Sequence, residues 1–426
     1  MRKLLILGGA SVHCKIVKAA KEMGVYTIVT DYLTDSPAKA IADKSYMYDV
    51  NDIDGIVEMC KQEQVNGVIG PYLDPCQRPY YEICHRLGLP CYIDTWEQVF
   101  TLTDKNAFKE CCIKNGVDII PTYDFSQPDK IEYPVYVKPA HSRGSRGQTV
   151  CHNFDEAKKA VAEAQKISDD GRAIIEKYMG DCSDFSMTYI FVDGEAYLTK
   201  TSDLYPGPIE YDLHKAQNGI VSPSNYATMY LMNVHNRVIA MLKDLGVKNG
   251  PVFMQGFVDG DTVRFYDPGQ RFGGSEYDTL LKTAWGNVDI MKLMIEYAFT
   301  GIMRNSQFYL HYNLACLNNK SVITLFPTIR AGKISAIHGL DEISNMPEVV
   351  VYTLRHNVGE DIPFTGDVNQ RMGEFDIIAN NRAELIMVIQ KVLDTLHVLD
   401  EDGKEMLFGN DIVNKMQASL NLEVNK

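Results

Sequence analysis

The feature that most constrains this chain is a lysine at the end of a short apolar strand. Tyr136-Val137-Lys138-Pro139 runs into a basic, small-residue stretch, Ala140-His141-Ser142-Arg143-Gly144-Ser145-Arg146-Gly147, and then into a second strand pattern from Gln148. A fixed cation followed by a glycine-serine loop suits the grip on a polyphosphate. The lysine supplies a point charge, and Gly144 and Gly147 let backbone N–H groups approach phosphate oxygens without a Cβ in the way. The loop leads to a strand rather than a helix. The Gly-x-x-x-x-Gly-Lys-Ser/Thr string of a P-loop is absent, so a hairpin-type nucleotide site is the expectation.

The flanking pattern supplies a frame for that hairpin. Strand-like runs at 3–7, 25–30, 67–70 and 90–93 alternate with helix-period segments at 12–23, from 36, at 54–62 and at 76–87. That alternation predicts a small parallel α/β domain, Rossmann-like, ending near residue 95. Residues 100–116 read as two helical pieces around Asp104-Lys105. Strands at 133–138, 148–152 and 173–176 enclose a helix at 155–166. Alternating strands at 185–192 and 195–201 meet across Asp193-Gly194, and those at 253–258 and 262–267 across Asp259-Gly260-Asp261. Helices are expected at 224–245, 288–300 and 382–396, with strand patterns such as 321–327 and 349–355 between the last two. The fold class is thus α/β together with α+β.

The chain has 426 residues and a net charge of -14. A surface that tracks nucleic-acid phosphates needs a basic excess, so the loop's cations form a local patch and no nucleic-acid partner is expected. Ten cysteines are scattered without a Cys-x-x-Cys pair, which suits buried, reduced thiols. No apolar run approaches the roughly 20 residues of a membrane span, and the short run at 3–7 enters glycines. A cytoplasmic protein without membrane association is the expectation.

With Lys138 located, further groups fall in order. The strand Ile174-Ile175-Glu176 runs into Lys177-Tyr178-Met179, where Glu176 and Tyr178 offer main-chain contacts to a nucleobase. Asp184 is a candidate for ribose hydroxyls. Gln255 and Asp267 lie on the two strands of one hairpin, which can bring two oxygen ligands to one Mg²⁺. Arg271 follows and can stabilise charge developing in phosphoryl transfer. His141 reads equally as a phosphate contact or a loop-surface histidine, and Lys200 as a phosphate contact or a solvated lysine. Gly8-Gly9 lacks the full Gly-x-Gly-x-x-Gly, which leaves an NAD-dependent oxidoreductase far behind.

This order resembles the ATP-grasp superfamily of carboxylate-amine ligases over nearly the whole chain. The resemblance divides it into a pre-ATP-grasp domain at 1–95, a two-lobed ATP-grasp domain at 96–305 with its small lobe at about 115–182, and a small C-terminal α+β domain at 306–426 that completes the large lobe. The closing part looks like that of glycinamide ribonucleotide synthetase, biotin carboxylase and L-amino acid ligases. Lys105 and Lys138 match phosphate lysines, and His141, Ser142, Arg143, Gly144, Ser145 and Gly147 the flexible phosphate loop. Glu176, Lys177, Tyr178 and Met179 look like the adenine hinge. Asp267-Pro268-Gly269-Gln270-Arg271-Phe272-Gly273-Gly274 resembles the family's Glu-x-Asn-Pro-Arg-x-Gly-Gly. It departs at Asp267, Gly269 and Gln270, and Gln255 stands where many relatives carry Glu, although carbamoyl phosphate synthetase-like members use Gln. Only Asp267 is then a charged ligand, so metal should be held mainly through ATP, with Gln270, Glu276 or Asp278 as compensating candidates.

The resemblance implies ATP and Mg²⁺, one or two ions, with Mn²⁺ as an alternative. It implies a reaction in which a small-molecule carboxylate is activated as an acyl phosphate and captured by an amine or ammonia, with ADP and phosphate released. Arg271 would be the catalytic residue. A homodimer is compatible with it. The Gly269 substitution keeps a nucleotide-binding protein with little or no catalysis as the alternative.

Overall fold

Leu4, Leu5, Ile6 and Leu7 are each fully buried, so the strand they form must be covered on both faces. In the computed structural model it is β1 (Lys3–Leu7), the inner strand of a parallel sheet with β2 (Tyr26–Thr30), β3 (Lys44–Tyr46) and β4 (Gly67–Ile69). The strand order is β3-β2-β1-β4. The structure describes residues 1–140, 147–168, 170–180, 182–207, 217–273, 289–303, 314–366, 368–408 and 411–424. Helices α1 (Cys14–Glu22), α2 (Pro37–Ile41), α3 (Ile53–Glu63) and α4 (Asp74–Leu87) connect or flank the strands. The expected strand at 90–93 does not form. The Tyr92 N–H donates to the Tyr80 hydroxyl and its carbonyl accepts from the Gln270 side chain, so side chains take the bonds a ladder would need.

Two capped helices lead out of this unit. Thr95 and Gln98 form a reciprocal capping box on α5 (Trp96–Thr101), and the Asp104 carboxylate caps α6 (Lys105–Lys114) by accepting from the Asn106 and Ala107 N–H groups. Strands β5 (Val135–Pro139), β6 (Thr149–Cys151) and β7 (Ala173–Lys177) then make a three-stranded antiparallel sheet, β6-β5-β7. Val135, Val137 and Ile175 point to one side and bury against Ala157, Ala160 and Ala164 of α7 (Phe154–Ile167). Strand alternation therefore sends Tyr136, Lys138 and Glu176 to the other side.

The remaining strands are β8 (Asp184–Val192), β9 (Glu195–Pro206), β10 (Gln217–Ser222), β11 (Gly250–Asp259), β12 (Thr262–Gly269), β13 (Ser321–Leu325), β14 (Thr328–Ile329), β15 (Gly332–His338), β16 (Val349–Leu354), β17 (Asp361–Ile362), β18 (Gly373–Ala379), β19 (His397–Asp400) and β20 (Leu407–Phe408). Eight of them form one sheet, β12-β11-β8-β9-β10-β13-β18-β16, antiparallel at each pairing. On one face Phe185, Met187, Tyr189, Met254 and Phe265 pack against Tyr230 and Val238 of α8 (Ala227–Asn233) and α9 (His235–Asp244). The sequence pattern suggested one helix over 224–245. It breaks at Val234 (φ -121°, ψ -41°), where the Arg237 guanidinium takes the Asn233 carbonyl instead.

Candidate active site

The opposite face of the large sheet carries the polar alternate residues. Gln255 pairs with Ser186 on one side and with Asp267 on the other, and Ser186 pairs with Ser202. Paired residues share a face, so these four form a row across β9, β8, β11 and β12. Lys200, opposite Thr188, and Asp184 lie two residues to either side and share that face. A bulge after Gln255 leaves Tyr266 as an extra residue in β12 and turns its hydroxyl onto Asp184. The Asp184 carboxylate accepts from the Gln255 amide at 3.2 Å and from the Tyr266 hydroxyl at 3.2 Å. Burial raises its pKa to about 7; the two hydrogen bonds oppose that rise, and Asp267 adds to it.

The small sheet brings cations to the same space. The Lys138 Nζ lies 2.6 Å from Glu176 Oε2, and Lys109 bonds the other oxygen of the same carboxylate. All three side chains are buried. Burial alone would push the Glu176 carboxyl up; Lys138 and Lys109 outweigh it and hold the carboxyl below its usual range. Lys105 stands one helical turn before Lys109. Burial and then Lys138 push its ammonium down, while Asp267, Glu176 and Asp74 pull it back up. The Asp267 carboxyl is raised by burial and by Asp74, against the pull of Lys105, Arg271 and Lys138. Lys105, Lys138, Asp267 and Arg271 are thus within electrostatic reach of one another.

Arg271 is anchored from the N-terminal unit. Its Nε bonds Asp74 Oδ1, its Nη2 reaches Asp74 Oδ2 at 2.8 Å, and its guanidinium lies 5.4 Å from the Phe253 ring centre. Beside it the Phe272 N–H donates to the Pro71 carbonyl at 2.7 Å. A Cβ on Gly269 would lie 3.0 Å from the Arg271 Cγ, so the arginine stem occupies the space a side chain there would need.

Two family models match the chain. One described as the PylC-like N-terminal domain covers residues 4–76, and one described as the D-ala D-ala ligase C-terminus covers residues 124–248. An L-amino acid ligase from Bacillus licheniformis superposes with a TM-score of 0.77 at 17% identity, covering 94% of this chain and 99% of the other. The biotin carboxylase domain of the Hydrogenobacter thermophilus 2-oxoglutarate carboxylase, solved as a dimer with MgADP and bicarbonate, gives 0.74 at 18% identity, covering 98% and 94%. The chain has the ATP-grasp fold. It comprises a pre-ATP-grasp parallel α/β unit, a two-lobed ATP-grasp unit and a small C-terminal α+β unit. In sequence, the small subunit of the H. thermophilus enzyme is 26% identical over 200 residues, 42% of this chain and 42% of that protein. The chain spans about half the length of the first curated relatives it matches.

Within this ATP-grasp fold the expected residues fall into several groups. Lys105, Lys138, Glu176, Asp267 and Arg271 converge by their mutual fields, and Asp184, Lys200 and Gln255 share the sheet face that bears Asp267. His141, Ser142, Arg143, Gly144 and Ser145 lie outside the described residues, as do Glu276 and Asp278. Gly147 has a positive φ of 71°, and a Cβ there would meet Ile167 at 2.5 Å and Pro139 at 3.0 Å, so its glycine serves the turn into β6. In the stretch expected as the hinge, the Lys177 N–H donates to the Pro121 carbonyl and the Tyr178 N–H to the Pro134 carbonyl. The Tyr178 amide is therefore spent within the protein, and the Glu176 side chain belongs to the lysines. Met179 is buried, and Tyr178 is partly exposed. Gln270 is fully buried, with its amide nitrogen on the Tyr92 carbonyl at 2.9 Å and its amide oxygen without a hydrogen-bond partner among the described residues.

The sequence reading missed Lys109, Tyr266 and Asp74. Lys109 had a signal, four residues after Lys105 on a capped helix. Asp74 had none, because its partner lies 197 residues away. A separate cavity of about 310 Å³ lies on the opposite face of the sheet, lined by Leu198, Thr201, Leu231 and Arg382; none of these residues belongs to the group above.

Proposed function

We propose that the chain is an ATP-dependent ligase that joins a small-molecule carboxylate to an amine or ammonia through an acyl phosphate, releasing ADP and phosphate. The observation that carries this reading is the convergence of Lys105, Lys138, Asp267 and Arg271. Lys105 and Lys138 offer cationic donors to phosphate oxygens, with Lys109 and Glu176 holding Lys138 in place. The Asp267 carboxyl is raised by burial and by Asp74, a cost that a cation bound against it would offset. With Gln255 facing it across the hairpin, that donor set suits Mg²⁺ held jointly with ATP. When bound there, Mg²⁺ would offset negative charge on the phosphates. Arg271, fixed by the Asp74 fork, is preorganised to stabilise charge on the activated acyl group. Asp184 suits sugar hydroxyls. No protein nucleophile is needed.

Purified protein should release ADP and phosphate only when a suitable acid and amine are both supplied. Lys138→Met should abolish ATP binding in calorimetry. Arg271→Lys keeps the charge but not the planar fork, and should cut turnover about 10²–10³-fold with ATP binding retained. Unchanged turnover in both variants would sink the assignment. A second reading, a nucleotide-binding protein with little catalysis, draws support from Gly269, whose space is filled by Arg271. It predicts ATP binding with scant Mg²⁺ dependence and no turnover across broad acid and amine panels. A homodimer, the form in which the H. thermophilus carboxylase domain was solved, is checked by sedimentation.

A further inference from the structure

Arg371 stands at the end of the large sheet, just ahead of β18, and only 8% of its surface is exposed. Its guanidinium carbon lies 3.9 Å from the Phe326 ring centre. Among the described residues the guanidinium meets no ion-pair partner and donates no hydrogen bond, and its Nε is enclosed without an acceptor. The nearest carboxylate that acts on it, Glu374, is committed to Arg355 at 3.0 Å. Arg371, Arg355 and Glu374 together leave one positive charge uncompensated. Burial and then Arg355 push the Arg371 pKa down to about 10, yet at neutral pH the group remains a cation. A cation buried to this extent, with its Nε enclosed and no acceptor among the described residues, is costly, and a chain keeps one when something else supplies the anion.

We propose that Arg371, backed by Phe326, is the recognition cation of an anion site on the large sheet, taking a carboxylate or a phosphate group of a small ligand in fork geometry. Its flat, delocalised charge suits both oxyanions and stacks on the phenyl ring below. Phe326 fixes the plane of the fork, and Thr328, bridged to Arg371 in the backbone, places it beside β14. The inference goes beyond the ligase reading and stands without it, because it requires an anion and no ATP chemistry.

The test is thermal melting without nucleotide, at ionic strength held constant with sodium chloride. Inorganic phosphate and acetate are titrated separately against wild type, Arg371→Met and Arg371→Lys. Methionine keeps the stem on Phe326 and removes the unpaired charge, so Arg371→Met should melt about 2 °C or more above wild type in ligand-free buffer. Wild type should gain melting temperature with one or both anions, Arg371→Lys should gain less, and Arg371→Met should lose that part of the gain. A response to phosphate alone assigns a phosphate-bearing ligand, and a response to acetate alone a carboxylate. Equal anion responses in wild type and both variants, or no response in wild type, overturn the site. Contributions from Lys105 and Lys138 cancel in the comparison, so ATP binding stays a separate question.

Discussion

At Glu176 one buried carboxylate is shared by two ammoniums, and the side-chain exposures of 2% for Glu176, 8% for Lys109 and 9% for Lys138 decide how much that matters. Glu176→Gln leaves two buried cations without an anion, which should cost about 3–5 kcal/mol in urea unfolding at pH 7. The folded carboxyl is held below its usual range, so its contribution is fully present above that range and is lost as pH falls through the folded value. Wild type and the Gln variant should therefore converge in stability as pH falls below the usual carboxylate range; a gap of constant size would show that the carboxylate is not the source. The Arg271 and Asp74 pair looks similar but is weaker by the same argument. Asp74 is 55% exposed, so water screens it, and Asp74→Ala should cost only about 1–2 kcal/mol in the same assay. An equal or larger loss than for Glu176→Gln would overturn that ranking.

The elements that set the site follow from local chemistry, with one geometric exception. Strand β8 reads Asp184-Phe185-Ser186-Met187-Thr188-Tyr189, and its polar and apolar faces were legible from period-two alternation alone. The Lys138 strand was legible for a similar reason. The bulge in β12 was not, because alternation cannot reveal an extra residue. Gly256 permits it: a Cβ there would lie 2.6 Å from the Arg264 carbonyl oxygen and 2.8 Å from a Val263 methyl. Gly256→Ala should thus cost about 1–3 kcal/mol and turn Tyr266 off Asp184, weakening ATP binding. Binding unchanged at full stability would show that the bulge does not present Tyr266. Long-range partners escaped the sequence for a different reason. Asp74, Gln77 and Tyr92 meet Gln270 and Arg271 only through tertiary folding, and no local period encodes that meeting.

Across the whole molecule the cores are unequally joined. One apolar cluster runs from Leu4 through the helix Ile290–Thr300 to Ile190, Val192, Tyr197 and Val322, so the N-terminal sheet and the large sheet share an interior. The small sheet has its own core, Val135, Val137, Cys151, Ile175 and the alanines of α7. Its ties to the rest include the Lys109 to Glu176 ion pair, the Tyr123 N–H to the Ile175 carbonyl and the backbone bridge of Thr122 with Glu176. A unit with few apolar contacts to its neighbours opens at lower free energy than the rest. Amides of β5 and β7 should therefore exchange with deuterium before those of β8 and β11 in nucleotide-free protein. A triphosphate gripped by Lys138 from one side and by the β11–β12 hairpin from the other would tie the two cores together. A non-hydrolysable ATP analogue should then slow exchange in β5 and β7 by about tenfold or more at saturation, and Lys138→Met should erase that protection without altering β8. Protection that appears equally in the variant, or that falls only on the N-terminal sheet, would place the nucleotide elsewhere in the fold.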